Sequence, residues 1–173
     1  MIWTFIGALM AAVLAACVSF VVSRWVGRDV RWLIPASAGA AMLGFTMWND
    51  YSWFSRTAGA LPDSFVVTSR VESSQAIQPW TLVAPMVSRF AAVDPTTARR
   101  HPAHPAMAMV DLFLLERYAP TRVSTQMVDC AAGRRADVPA TADFDDDGLP
   151  VGLAWLALGE GDPLIAAVCG AMG

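Results

Sequence analysis

The sequence predicts an α+β membrane protein: an N-terminal transmembrane helical hairpin, then a small antiparallel β-sheet domain with a disulfide-tethered C-terminal helix. Three observations lead there. Two consecutive uncharged runs of near-spanning length open the chain. Short β-branched stretches follow, with no helical pattern between them. Two of the three cysteines lie in that second part, one of them close to the C-terminus. Composition agrees, because only 16% of the 173 residues are charged, against roughly 25% in an ordinary soluble domain. Twelve bases, all Arg, against fifteen acids leave a net charge of −3, so no basic field invites nucleic acid.

The first helix is expected over residues 2–22, since Ile2 to Val22 carries no charge and about twenty apolar residues match the ~30 Å hydrocarbon core. Trp32 to Trp48 is uncharged again, giving a second helix over 32–48, with Pro35 in its first turn where a missing N–H costs little. Trp3, Trp25, Trp32, Trp48, Tyr51 and Trp53 fall at the expected headgroup levels, as an aromatic belt does. The short loop between the runs holds Arg24, Arg28 and Arg31, whereas Arg56 is the only base soon after the second run. The positive-inside rule then puts that loop in the cytoplasm of a bacterium. Residues 1–48 form the anchor, and 49–173 form a periplasmic domain, with both termini on that side of the inner membrane. Leu14-Ala15-Ala16-Cys17 resembles a lipoprotein cleavage box, but no basic residue precedes the apolar stretch and apolar residues continue past it. Cys17 is therefore expected to pack within the span.

Small residues recur at four-residue spacing as Gly7, Ala11 and Ala15 in the first run and Ala36, Ala40 and Gly44 in the second. Such faces let helices approach closely in lipid, so they are expected to pack the hairpin on itself or on a partner's helices. Neither run contains an ionisable residue, which argues against a proton or ion path through this chain alone.

Beyond residue 49, strands are expected over Phe65–Val71, Ser88–Val93 (stopped by Asp94-Pro95), Met107–Tyr118 and Arg122–Cys130. Residues 132–135 and 136–138 are expected to form a further hairpin, and Val151–Leu158 a last strand. The final helix has Asp162 as cap, Pro163 in the first position and Gly170 to close it. Leu164, Ile165, Val168 and Cys169 fall on one side, so this helix should lie on the sheet. Cys130 and Cys169 are the only cysteines outside the spans, and in an oxidising compartment they are expected to pair.

Phe90-Ala91-Ala92-Val93-Asp94, Val128-Asp129-Cys130-Ala131-Ala132-Gly133-Arg134-Arg135, an Asp-Gly turn, Trp155, Asp162-Pro163 and Val168-Cys169 together resemble the surface-adhesin protein E type of domain. The resemblance covers roughly residues 86 to 170. It implies a small antiparallel sheet whose C-terminal helix is tethered through Cys130 and Cys169. Members of that family are usually secreted or lipid-anchored, so host-protein binding is not carried over to a chain with two spans.

Three segments offer chemistry. Asp143-Phe144-Asp145-Asp146-Asp147-Gly148 has the start of an EF-hand loop, but Ala154 stands where the bidentate Glu is needed, and Asp-Gly between apolar stretches reads better as a hairpin. His101, His104, Met107 and Met109 are ligand types that copper accepts, in a segment that Pro102 and Pro105 make extended. Gln78 to Val87 is uncharged around Trp80, and it suits a core, a headgroup region or a partner. With Trp48, Tyr51, Trp53 and Phe54 it is read as a partner or membrane contact. Asp111 and Glu116, five apart on one strand, face opposite sides and form no carboxylate pair. No nucleophile elbow, P-loop, dinucleotide fingerprint, zincin or CxxC motif is present.

The expected function is accordingly non-catalytic, without cofactor or metal. An accessory subunit of an inner-membrane complex, photosynthetic or respiratory, would have membrane lipid and integral-membrane subunits as partners. An envelope binding or adhesin-like module and a periplasmic metal-handling protein are the alternatives.

Overall fold

The apolar run that opens the sequence is one unbroken helix, α1, Ile2–Val26. The computed structural model describes residues 2–26, 32–159 and 161–172, so Arg28 and Arg31, invoked above for sidedness, lie outside the described residues. The chain divides into two units, one of Met1–Arg56 with Ser74–Met86, the other of Thr57–Ser73 with Val87–Gly173.

In the first unit α1 pairs with α2, Leu33–Ala58, and the two run antiparallel, since Gly7 lies against Phe45 while Ser19 meets Ser37. The helix expected over 32–48 is only the apolar part of α2. The correction has a simple cause. Apolarity decides which solvent surrounds a helix, and backbone hydrogen bonding decides how far it runs. Asn49 to Ala58 continue the turns, with the Arg56 side chain donating to Asn49 Oδ1 at 2.8 Å and to the Ser52 carbonyl at 3.3 Å. Gly59 and Pro62 follow the last turn, as they commonly do beyond helix ends. The same unit contains a single-turn helix, α3, Trp80–Val83, which the sequence pattern had not set apart.

The second unit is a sheet of seven strands among the described residues: β1 Val66–Ser73, β2 Met86–Val93, β3 Arg99–Arg100, β4 Met107–Glu116, β5 Arg122–Asp129, β6 Arg134–Asp137 and β7 Trp155–Ala157. Their order is β1-β2-β4-β5-β6-β7, and β3 joins the same edge of β4 that β2 uses further along. Between β2 and β3, Asp94 caps a 3-10 turn over Pro95–Thr97, so the Asp-Pro pair stops the strand as expected. Alternation along β4 is regular, Ala108, Val110 and Leu112 being buried and the residues between them half-buried. Asp111 and Glu116 accordingly sit on opposite faces.

Helix α4, Pro163–Met172, covers the face that Ala108, Val110 and Leu112 share with Ala91, Val93 and Val128. Leu164 and Val168 are buried there, with Ile165 and Cys169 half-buried beside them. Asp162 Oδ1 accepts from the Leu164 N–H at 2.9 Å, the cap its position predicts. Cys130 and Cys169 are bonded, with 5.8 Å between their Cα atoms.

Three local expectations give way. Residues 132–138 do not fold on themselves. Gly133, at φ +60°, makes the turn, and 134–137 form one strand paired with 126–129. Within 151–158 only Trp155–Ala157 is strand, because Gly152 at φ +72° breaks the extended path. Gly170 lies inside α4 and lacks the positive φ of a closing glycine; Met172 packs on the core and keeps the last turn docked.

Candidate functional site

Helix α1 is inside out by the standard of a soluble core. Its two buried residues are Ala8 and Ala12, while Trp3 is 82% and Phe5 74% exposed, and Leu9, Leu14, Phe20 and Trp25 are exposed with them. Gly7, Ala11 and Ala15 lie on the covered side, half-buried. A Cβ on Gly7 would stand 2.5 Å from Phe45 Cζ, so only glycine admits the ring without a shift. Further along the pair, Ser19 Oγ donates to Ser37 Oγ at 2.7 Å, and Ser37 Oγ donates to the Ile34 carbonyl at 2.9 Å. The two hydroxyls thus bond across the helix pair and back to the α2 backbone.

The small residues expected on α2 take no part in this packing. Ala36, Ala40 and Gly44 are exposed, and a Cβ on Gly44 would meet nothing within 4 Å. Ser37 and Phe45 carry the contact on α2 instead. The four-residue spacing correctly marks one face of the helix but says nothing of which face meets α1. Cys17 is a free thiol on the exposed side of α1, not packed in the pair.

At the end of the apolar run the first unit closes on itself. Trp48 and Tyr51 are exposed, Trp53 and Phe54 half-buried, all on α2. The Arg56 guanidinium sits 5.0 Å from the centre of the Trp48 ring. Asp50, which sequence reading passed over, is buried, and Gln78 Nε2 donates to its Oδ2 at 3.2 Å. Tyr51 Oη donates to the carbonyl of Ala84 and lies 3.4 Å from that of Trp80. Trp80 is half-buried with its Nε1 enclosed, so it is not the most outward side chain of its segment. A signal for Asp50 did exist: a lone carboxylate two residues past an apolar run, followed later by an uncharged segment that holds Gln75 and Gln78.

In the second unit Asp129, Arg134 and Trp155 build a turn beside the disulfide. Asp129, buried, accepts at Oδ1 from the Ala131 and Ala132 N–H groups, each at 3.1 Å, and at Oδ2 from Arg134 Nε at 3.0 Å. The guanidinium carbon of Arg134 lies over the Trp155 ring, 4.4 Å from its centre. Asp-Cys, Gly-Arg and Trp thus hold the β5–β6 connection beside the disulfide. Asp94 has Thr96 Oγ1 at 2.6 Å, the Thr96 N–H at 3.1 Å and Ser64 Oγ at 3.2 Å. The Thr96 hydroxyl, more than any other group, holds its carboxyl below the usual carboxylate range; desolvation opposes it, and the Thr96 N–H and Ser64 hydroxyl add to the lowering.

The acidic segment is a hairpin: Phe144 bridges Pro150, and Asp145 Oδ1 accepts from the N–H groups of Asp147 and Leu149 at 3.1 and 2.7 Å. Gly148 supplies the positive φ, +80°, that the turn requires. His101 and His104 lie with ring centres 5.4 Å apart, and His101 Nδ1 accepts the His104 N–H at 3.2 Å. Among the described residues no three His, Cys, Asp or Glu side chains converge as a metal-ligand group. A cleft of about 250 Å³ in the sheet unit is lined by Ser69, Val71, Arg89, Leu114, Glu116 and Arg122 among others. Compared with known proteins, the chain matches no family model, no curated protein and no solved structure.

Proposed function

We propose that the chain is a non-catalytic accessory subunit of a bacterial inner-membrane assembly, anchored by α1 and α2, with the sheet unit on the periplasmic side. The observation that carries this reading is the inverted burial of α1, small residues covered and large apolar ones bare. At 1.5 Å per residue its 25 residues extend about 37 Å, enough to cross a bilayer. About a dozen bare side chains at roughly 1.5–3 kcal/mol each favour hydrocarbon over water by on the order of 20 kcal/mol. That exceeds the ~5–15 kcal/mol that holds a typical domain together, so surroundings dominate the placement of α1.

Two further features support the sidedness. Arg24 is in the last turn of α1, and Arg28 and Arg31 follow in sequence, giving the basic end that faces the cytoplasm in bacterial membranes. A Cys130–Cys169 bond persists in an oxidising compartment such as the periplasm. The subunit role itself rests on α2, whose outer face of Ala36, Ala40 and Gly44 stays bare after α1 has packed. Mild-detergent extraction followed by native mass spectrometry tests the reading. Co-purification with integral-membrane proteins in fixed ratio is expected. A free monomer as the sole species, or recovery of the chain in the alkaline-washed soluble fraction, overturns it.

A further inference from the structure

Resting on the membrane reading above, we propose that Ser74–Met86 is an interfacial foot: a rigid loop that seats Ile77, Leu82 and Val83 in the headgroup–acyl boundary beside α2. No notion of a partner protein is needed, because each property of the loop is one that a lipid surface selects.

Its position comes first. Gln78 is bonded to Asp50, and Tyr51 to the Ala84 carbonyl, so the loop is tied to α2 two to three residues past Trp48, where the apolar run ends. At 1.5 Å per residue that is about 3–5 Å along the helix axis, within the headgroup zone if residues 32–48 span the hydrocarbon. Charge comes next. From Ser73 to Ser88 there is no Asp, Glu, Arg or His, whereas the corresponding connections in the sheet unit hold Asp94, His101, His104 and the 143–147 acids.

The backbone is the decisive feature. A loop entering the edge of a bilayer must satisfy its own N–H and C=O groups. Here the N–H groups of Gln78, Thr81, Leu82 and Ala84 donate to the carbonyls of Gln75, Gln78, Pro79 and Trp80 at 2.8–3.2 Å. Thr81, fully buried, accepts the Gln75 N–H at Oγ1 (2.8 Å) and donates to the Gln78 carbonyl at 2.7 Å. With its polar groups turned inward, the loop leaves Ile77 91% and Val83 89% exposed, and Leu82 62%. Three bare aliphatic side chains on an uncharged loop that bonds the N–H groups of Gln75, Gln78, Thr81, Leu82 and Ala84 within itself do not suit water, and burying them contributes roughly 1.5–3 kcal/mol apiece. An interfacial seat of this kind would fix the tilt and rotation of α2.

The full chain in phosphatidylethanolamine–phosphatidylglycerol nanodiscs, doped with a lipid carrying an aryl diazirine near its glycerol, gives the test. After irradiation, peptide mass spectrometry maps the adducts. Adducts at Ile77, Leu82 and Val83 are expected, within about threefold of those at Trp3 and Phe5. Replacing all three by Ser should cut labelling of the loop at least tenfold and leave α1 labelled. Adducts on α1 with none on 74–86 overturn the foot while the membrane reading stands. No adducts on either overturn the membrane reading itself. Loop adducts that appear in nanodiscs but vanish in the extracted native complex assign the surface to a protein partner, and the proposal fails.

Discussion

The two units obey one rule of burial and reach opposite surfaces. In the sheet unit the wholly enclosed side chains include large ones, Phe90, Met127, Val93 and Val128, beside Ala92 and Ala108, and the rim carries Arg, Asp and Glu. In the helix unit the enclosed positions among the described residues are Ala8, Ala12, Asp50, Thr81 and Met86, and most of the large side chains of α1 stand outside. Close packing needs small residues wherever two helix backbones approach, and it needs large ones wherever a sheet and a helix leave a wide gap between them. What differs is the surrounding medium each unit is built for. On the membrane reading proposed above, the sheet unit is finished in water, whereas the helix unit is finished only when hydrocarbon or other helices cover it.

That contrast is sharpest at the disulfide, which belongs to one unit alone. The Cys130–Cys169 bond closes a loop of 39 residues, worth about 4 kcal/mol in the chain-entropy model. Cys169→Ser should lower the melting midpoint of the sheet unit by about 15–30 °C. The helical circular-dichroism signal of α1 and α2 should be retained through that transition. If helix and sheet signals are lost together, the two units are one cooperative body and the comparison fails. Leu164→Ala should cost the sheet unit about 3 kcal/mol through the cavity left between α4 and β4, read by the same melt.

Glycines on the two helices sharpen the comparison from the other side. Gly7→Leu forces α1 away from Phe45 and should destabilise the helix pair by about 2 kcal/mol, measured by steric trapping in detergent. Gly44→Leu meets open space and should leave the isolated pair unchanged. Loss of co-purifying subunits with Gly44→Leu, but not with an exposed substitution on the opposite side, would mark that face as the partner contact.

Much of this architecture was legible from the residues, and the failures have physical causes. Strands over 107–116 and 122–129 are legible as short apolar and β-branched stretches on either side of the Ala119-Pro120 turn; burial has a period of two along the first, whereas along the second it deepens towards Asp129 without alternating. Asp162-Pro163 gave the start of α4 because a cap and a first-turn proline are local chemistry. Two-residue β3 and one-turn α3 are too short to leave a period at all. The end of α2 at Ala58 leaves no mark in hydropathy, since the change at Trp48 signals only the end of the apolar part. Of the candidate contact surface, the aromatic residues were visible and the geometry was not. Ile77, Leu82 and Val83 stand out where Trp80 was expected to, since the chain folds back on Thr81 and draws the indole inward.

The smallest expected effect concerns Asp94, and it lies wholly in the sheet unit. Its carboxyl is held below the ordinary range mainly by the Thr96 hydroxyl, so the folded state binds this proton less readily than the unfolded chain does. A depressed folded value contributes stability that is fully present above the unfolded pKa and is lost as pH falls through the folded one. The melting midpoint of the sheet unit should therefore show no contribution from Asp94 to its slope between about pH 5 and 7, and a downward one below about pH 4. Asp94→Asn, which keeps Oδ1 as an acceptor for Thr96 but cannot titrate, should lower the midpoint slightly at neutral pH and shallow the acid limb. An unchanged acid limb in Asp94→Asn would show that other carboxylates set it. With 3-10 turn and strand end both built on this side chain, Asp94→Ala should exceed Asp94→Asn at every pH, because it removes the cap as well as the charge.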